Sequence, residues 1–228
     1  MPCCLLTASL ALTGCSGGSG TAHSAPARPT PKPPAVDFLG DSYTVGVNDV
    51  PTWRTYASVL ARAKGWRTSV AGYAFAGFVH TDRYGRDYAD LFRRELARRP
   101  APDLLVIAGA HNDRREPSHR IRVKTAALLT GIHRHWPHTR LVVVGPMWGG
   151  TPTHGALRVR DAVRTAAKAR HVPFIDPLRQ KWLTGDREKH TGNAARYVLP
   201  DGTHPNIAGH RHMAARLGTD LTRLGLPR

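Results

Sequence analysis

From residue 35 onward, short apolar runs alternate with amphipathic stretches. A run of four or five apolar residues between turn residues reads as a strand buried on both faces. Apolar residues recurring every three or four positions read as a helix. The pattern predicts strands over 36–39, 68–71, 104–108, 141–144 and 172–175. It predicts helices over 53–64, 88–99, 121–136, 156–170 and 206–224, with Gly65 and Pro100 stopping the first two. No internal repeat is visible. Strand alternating with helix implies a flavodoxin-like three-layer α/β/α sandwich with a mainly parallel five-stranded sheet. Right-handed crossovers place every strand C-terminus on one edge, where ligands bind in open α/β sheets.

The segment ahead of this pattern differs in kind. Residues 1–14 read as a lipoprotein-type signal peptide, because the apolar run over 3–12 is too short to span a bilayer. Leu12-Thr13-Gly14-Cys15 resembles the bacterial lipobox, which makes Cys15 the expected lipidation site. No Lys or Arg precedes the run, so a disordered N-terminus is the plain alternative. Residues 15–35, rich in Pro, Gly and Ser, read as a tether, and 36–228 as the folded domain. The expected location is extracytoplasmic, either anchored to the cell membrane through lipid or secreted.

Composition narrows the function classes. The 228 residues are 41% hydrophobic and 21% charged, as in ordinary globular domains. The formal net charge is +17, from 33 Lys+Arg against 16 Asp+Glu. Basic residues such as Arg93, Arg94, Arg98 and Arg99 are scattered, with no dense tract and no recognition motif. A nucleic-acid partner is therefore not expected. Cys3, Cys4 and Cys15 all precede the folded domain, which can form no internal disulfide and is expected to be a monomer. Among the histidines, His133, His135, His138, His210 and His212 are the candidate metal ligands. A spacing of two on a helix splays the rings, and no acidic or Cys partner accompanies them. No metal and no organic cofactor is expected.

Three motifs leave this framework on the same edge. Gly40-Asp41-Ser42 follows the first strand, where the Gly permits a sharp turn and the Ser gains from nearby backbone N–H groups. An Asp or Ser capping a helix is the bland reading. Ala110-His111-Asn112-Asp113 follows the third strand. The Asn amide there can face a developing oxyanion or merely bond its own turn, while Asp113 suits bracing the loop. Asp201-Gly202-Thr203-His204 precedes the last helix, and residues three apart in a turn can meet. The Asp201 carboxylate can then fix the tautomer of the His204 ring, or the cluster can be a helix cap. Ser, Asp and His in that chain order are one of the arrangements in which the hydrolytic triad recurs.

These motifs resemble blocks one, three and five of the SGNH hydrolases, the GDSL-type esterases and lipases, in order and spacing over roughly 36–224. Ala110 replaces the usual Gly of block three, and Pro205, Asn206 and Gly209 follow block five as in many members. The resemblance implies Ser42 as nucleophile, His204 as general base and then acid, and Asp201 as its orienter. It implies an oxyanion hole from the Ser42 N–H, the Asn112 side chain and a block-two backbone N–H. Block two departs from the family pattern: residue type selects Gly77, while another register puts Phe75 there. The expected activity is hydrolysis of small acyl esters, acetyl or short-chain, of a carbohydrate or lipid. The substrate class is thus a small-molecule or polysaccharide ester. A non-catalytic surface lipoprotein binding glycan is the alternative, and an acyltransferase on the same triad a more remote one.

Overall fold

The structure is a computed structural model and describes residues 32–227, apart from Asn48. The signal peptide, Cys15 and the tether up to residue 31 lie outside the described residues. Five strands form one sheet: β1 (Val36–Gly40), β2 (Val70–Gly72), β3 (Leu104–Ala108), β4 (Arg140–Val144) and β5 (Phe174–Ile175). They are all parallel, in the order β2-β1-β3-β4-β5. The predicted sheet is therefore present, and β1 lies between β2 and β3 as the flavodoxin-like order requires.

Alternation along the strands sorts their side chains to two faces. Leu39, Leu105, Ile107 and Val143 enter one apolar cluster, and Phe38, Val106, Val142 and Val144 enter the other. The first face is covered by α3 (Tyr88–Leu91), α4 (Ser118–His135) and α5 (His154–Ala169), through Leu91, Ile121, Leu129, Ile132 and Val163. The second is covered by α2 (Tyr56–Lys64) and α7 (Ile207–Arg223), through Tyr56, Leu60, Met213, Leu217 and Leu221. Short pieces complete the chain: α1 (Ser42–Val45), the hairpin β6 (Gly185–Asp186) and β7 (Thr191–Gly192), and α6 (Ala194–Tyr197). Among the described residues no helix is long and apolar enough to cross a membrane.

Two predicted helices differ from expectation. The helix over 53–64 is broken: Thr52–Arg54 is a 3-10 turn, Thr55 is extended, and α2 starts at Tyr56. Thr55 gives α2 no side-chain cap; the Tyr56 N–H instead donates to His210 Nδ1 from α7 at 3.2 Å. The helix over 88–99 is α-helical only to Leu91 and continues as a π-helix over Phe92–Leu96. The fully buried Leu91 and Leu96 lie five positions apart, too far for one α-turn; the wider π turn returns both to the core. The region over 176–205 carries little periodicity, and its hairpin and short helix were not predicted.

Candidate active site

The motif loops meet at the C-terminal edge of the sheet. β1 ends at Gly40, where a Cβ would collide with the Thr44 hydroxyl and the Ala108 carbonyl of the neighbouring strand. Only glycine lets the chain turn there. Asp41 caps α1, its Oδ1 accepting from the Tyr43 N–H at 3.0 Å. Ser42 is the first helical residue, so its N–H has no partner within that one turn. The Ser42 side chain sits 3.0 Å, Oγ to Nε2, from His204. The other ring nitrogen, Nδ1, lies 2.7 Å from Asp201 Oδ2.

The loop bearing Asp201 and His204 is tightly tied. Asp201 Oδ1 accepts from the Thr203 and His204 amides, each at 2.9 Å. The His204 carbonyl accepts from Leu199 N–H, and the Thr203 carbonyl accepts from the Tyr43 hydroxyl at 2.5 Å. Tyr43 therefore pins this loop to α1. Only 1% exposed, it packs rather than lining a ligand pocket. Partial burial works against charge on Asp201, but the His204 ring and the two amides outweigh it and hold its pKa below the usual carboxylate value.

β3 delivers Asn112 through a left-handed Ala110, at φ 78° and ψ 11°. That conformation explains why glycine suits the position. The Asn112 amide donates to the Ala76 carbonyl at 3.0 Å, which leaves its second N–H available to the cleft. Asp113 turns the other way. Its carboxylate accepts from the Phe78, Val79 and His80 amides at 2.8, 3.0 and 2.8 Å, and so braces the loop after β2. Burial pushes Asp113 upward in pKa while those amides pull it back.

Gly77 does not fit the oxyanion role expected of it. Its N–H donates to the His80 carbonyl at 2.9 Å, and its α-carbon packs against the Asp113 carboxylate, where a side chain has no room. Glycine is needed there for space. Phe75 occupies the alternative register, with φ 69°, and lines the cleft. Its N–H takes no part in the hydrogen bonds that order the loop, which run from Ala76 to Tyr73 and from Gly77 to His80. The left-handed region favours glycine, so Phe75 is an uncommon residue at this backbone conformation.

Ser42, His204 and Asn112 open on a cleft of about 850 Å³ whose walls include Tyr73, Phe75 and His111. His111 stacks on Trp148 with ring centroids 4.1 Å apart, and its Nδ1 lies 3.3 Å from the Met147 carbonyl. Burial, with Arg114 and His204 nearby, lowers His111 to about 4, so the ring is neutral at pH 7. Of these wall residues, Phe75 is marked in the sequence only as the alternative block-two register, and His111 only as the variable residue before Asn112. Of the five histidines weighed as metal ligands, three have structural partners: His135 and His212 bond the Ala97 and Trp182 carbonyls, and His210 accepts from the Tyr56 N–H. Among the described residues no three His, Cys, Asp or Glu are grouped to hold a metal ion.

Residues 38–212 match the sequence profile of the GDSL-like lipase/acylhydrolase family. The chain belongs to that family. GDSL lipase Rv0518 of Mycobacterium tuberculosis is 30% identical over 192 residues, covering 80% of this chain and 79% of the relative. Solved structures share the fold of this family at lower identity. A family two carbohydrate esterase from Clostridium thermocellum, in complex with cellohexaose, gives a TM-score of 0.65 at 20% identity. The match covers 86% of this chain and 66% of that one. The acetyl xylan esterase Est2A from Butyrivibrio proteoclasticus gives 0.60 at 15% identity, covering 86% and 66%. The GDSL-like chain described here is thus a carboxylic ester hydrolase of the SGNH type.

Proposed function

We propose that this hydrolase cleaves small acyl esters, acetyl or short-chain, through Ser42, His204 and Asp201. The observation that carries the reading is the unbroken relay from Asp201 to His204 to Ser42, at 2.7 and 3.0 Å, opening on the cleft. His204 Nε2 takes the Ser42 proton as Oγ bonds the substrate carbonyl carbon. Asp201 holds the ring so that Nε2 faces Ser42, and stabilises the imidazolium. The oxyanion receives the Ser42 N–H, the free Asn112 amide hydrogen and the Phe75 N–H. His204 then passes its proton to the leaving alcohol, and a water activated by the same ring releases the acid and restores Ser42. None of these steps calls on a metal or organic cofactor.

The alcohol part is proposed to be a carbohydrate or lipid. Support for a carbohydrate comes from the carbohydrate esterases sharing the fold and from the Tyr73 and Phe75 rings on the cleft wall. Support for a lipid comes from the 30% identical lipase. Anchoring through lipid on Cys15 belongs to the same proposal and rests on the lipobox-like Leu12-Thr13-Gly14-Cys15.

The decisive experiment pairs chromogenic acetate hydrolysis with active-site labelling by a fluorophosphonate. Peptide mapping should place the label on Ser42. Ser42→Ala should keep the fold and lose labelling and nearly all turnover. Label on another residue, or near-normal turnover by Ser42→Ala, overturns the assignment.

A further inference from the structure

Among the described residues, the walls of the cleft beside Ser42 carry Arg83 and Arg114, together with His80, His111 and His204, and no Asp or Glu. Asp201, just behind His204, is committed to that ring and two amides. Among the described residues neither Arg83 nor Arg114 makes an ion pair. With 33 Lys+Arg against 16 Asp+Glu, unpaired cations are ordinary on the surface of this chain. These two differ in where they are.

Arg114 is half-buried on the turn that carries Asn112. Its guanidinium has one long hydrogen bond, Nη1 to the His111 carbonyl at 3.5 Å. A charge withdrawn from water without a partner is costly, and a guanidinium offers a planar fork suited to carboxylate or phosphate oxygens. Arg83 is held at the rim, its carbon 4.8 Å above the Tyr84 ring and Nη2 donating to the Tyr84 hydroxyl at 2.8 Å. The adjacent Arg86 is neutralised by Asp82 at 2.7 Å. Two guanidinium groups, one half-buried and one at the exposed rim, thus line one cleft without a carboxylate partner.

We infer that the cleft selects esters whose alcohol part bears an anionic oxygen group, with Arg114 and Arg83 as the residues that recognise it. This rests on the proposed triad for turnover, but not for binding. A sugar acid would supply a carboxylate and a sugar or lipid phosphate would supply a phosphate. Both present the same chemistry to the arginines.

The test compares three para-substituted aryl acetates: acetoxybenzoate, acetoxyphenyl phosphate and the neutral acetoxybenzamide. At low salt at least one anion should exceed the amide in kcat/KM by about tenfold or more, through KM, as expected for a charge-assisted hydrogen bond in a cleft. Added salt should erode the preference. Arg114→Gln and Arg83→Gln should each reduce it several-fold, and Arg114→Lys should restore part of it. Preference for one anion over the other names the source; equal preference for both defines a general anion subsite. A ratio near one, or a ratio unchanged in both Gln variants, overturns the inference. Calorimetric binding of the corresponding phenols to the Ser42→Ala protein separates this site from the chemistry. If no acetate is hydrolysed, the triad reading fails alone, and tighter binding of an anionic phenol that Arg114→Gln abolishes still upholds the subsite. Equal binding of all three phenols rejects it. Should Arg114→Gln fail to fold, substitution of the exposed Arg83 by Gln decides the matter.

Discussion

At the scale of single residues, Asn112 and Asp41 make separable predictions. An oxyanion donor acts when charge gathers on the carbonyl oxygen, and losing one typically costs about 10²- to 10³-fold in turnover. Asn112→Ala should lower kcat by that order with little change in KM. If the amide only ties the turn to Ala76, the melting temperature should fall instead, with turnover per folded molecule kept. Asp41 is fully buried, and its Oδ2, close to the Tyr88 hydroxyl, has no hydrogen-bond partner. Burial raises its pKa from 3.8 to about 7. Between those values the folded state holds a proton that the unfolded state has lost, so this group contributes less stability as pH rises through the window. Asp41→Asn removes the titration while its Oδ1 still accepts from Tyr43 and its amide faces the Tyr88 oxygen. The melting temperature of the variant relative to wild type should climb from pH 4 to pH 8; a constant difference would show that Asp41 is ionised throughout.

Among the elements, the loop after β2 is where sequence and structure part. The strands 104–108 and 141–144 and the motif residues Ser42, Asn112, Asp201 and His204 were legible, because burial on both faces and short rigid turns leave marks in residue type. The proposed block-two donor was legible only as one of two registers, since a backbone N–H leaves no side chain to read: residue type selects Gly77, which packing against Asp113 requires, and Phe75 stands as the alternative. Phe75 is 63% exposed, so its left-handed backbone is not offset by burial of its ring. Phe75→Gly should raise stability by about 1 kcal/mol and retain turnover of a small acetate, measured by thermal melting and kinetics. The break in the first predicted helix was equally hidden, because the cap of α2 comes from His210, 154 residues away. Burial, and then the charge of His204, lowers His210 to about 3. An unfolded histidine titrates near ~6.5, so the stability that His210 contributes is present above that value and lost as pH falls toward its folded pKa. The loss is at most about 1.4 kcal/mol per pH unit. His210→Gln should lose less melting temperature than wild type between pH 6.5 and pH 4, and a parallel decline would refute the neutral cap.

For the whole molecule, the parallel topology followed from the alternation of strand and helix, and with it the edge where the motifs gather. The leader is judged by another measurement. With lipid on Cys15, the full chain expressed in a bacterial host should sediment with membranes, and Cys15→Ser should release it or leave it unprocessed. Intact mass showing an unmodified leader on the wild type would exclude the anchor. Under the proposed triad, the long reach between Ser42 and His204 sets the timing of activity. They touch across 162 residues, one leaving the first strand and the other entering the last helix. A growing chain can complete β1, β2 and β3 and still lack a base beside its serine. Ester turnover during synthesis or refolding is therefore a clock that starts only when α7 has docked on α2, so the first detectable product dates the closing of the fold from end to end.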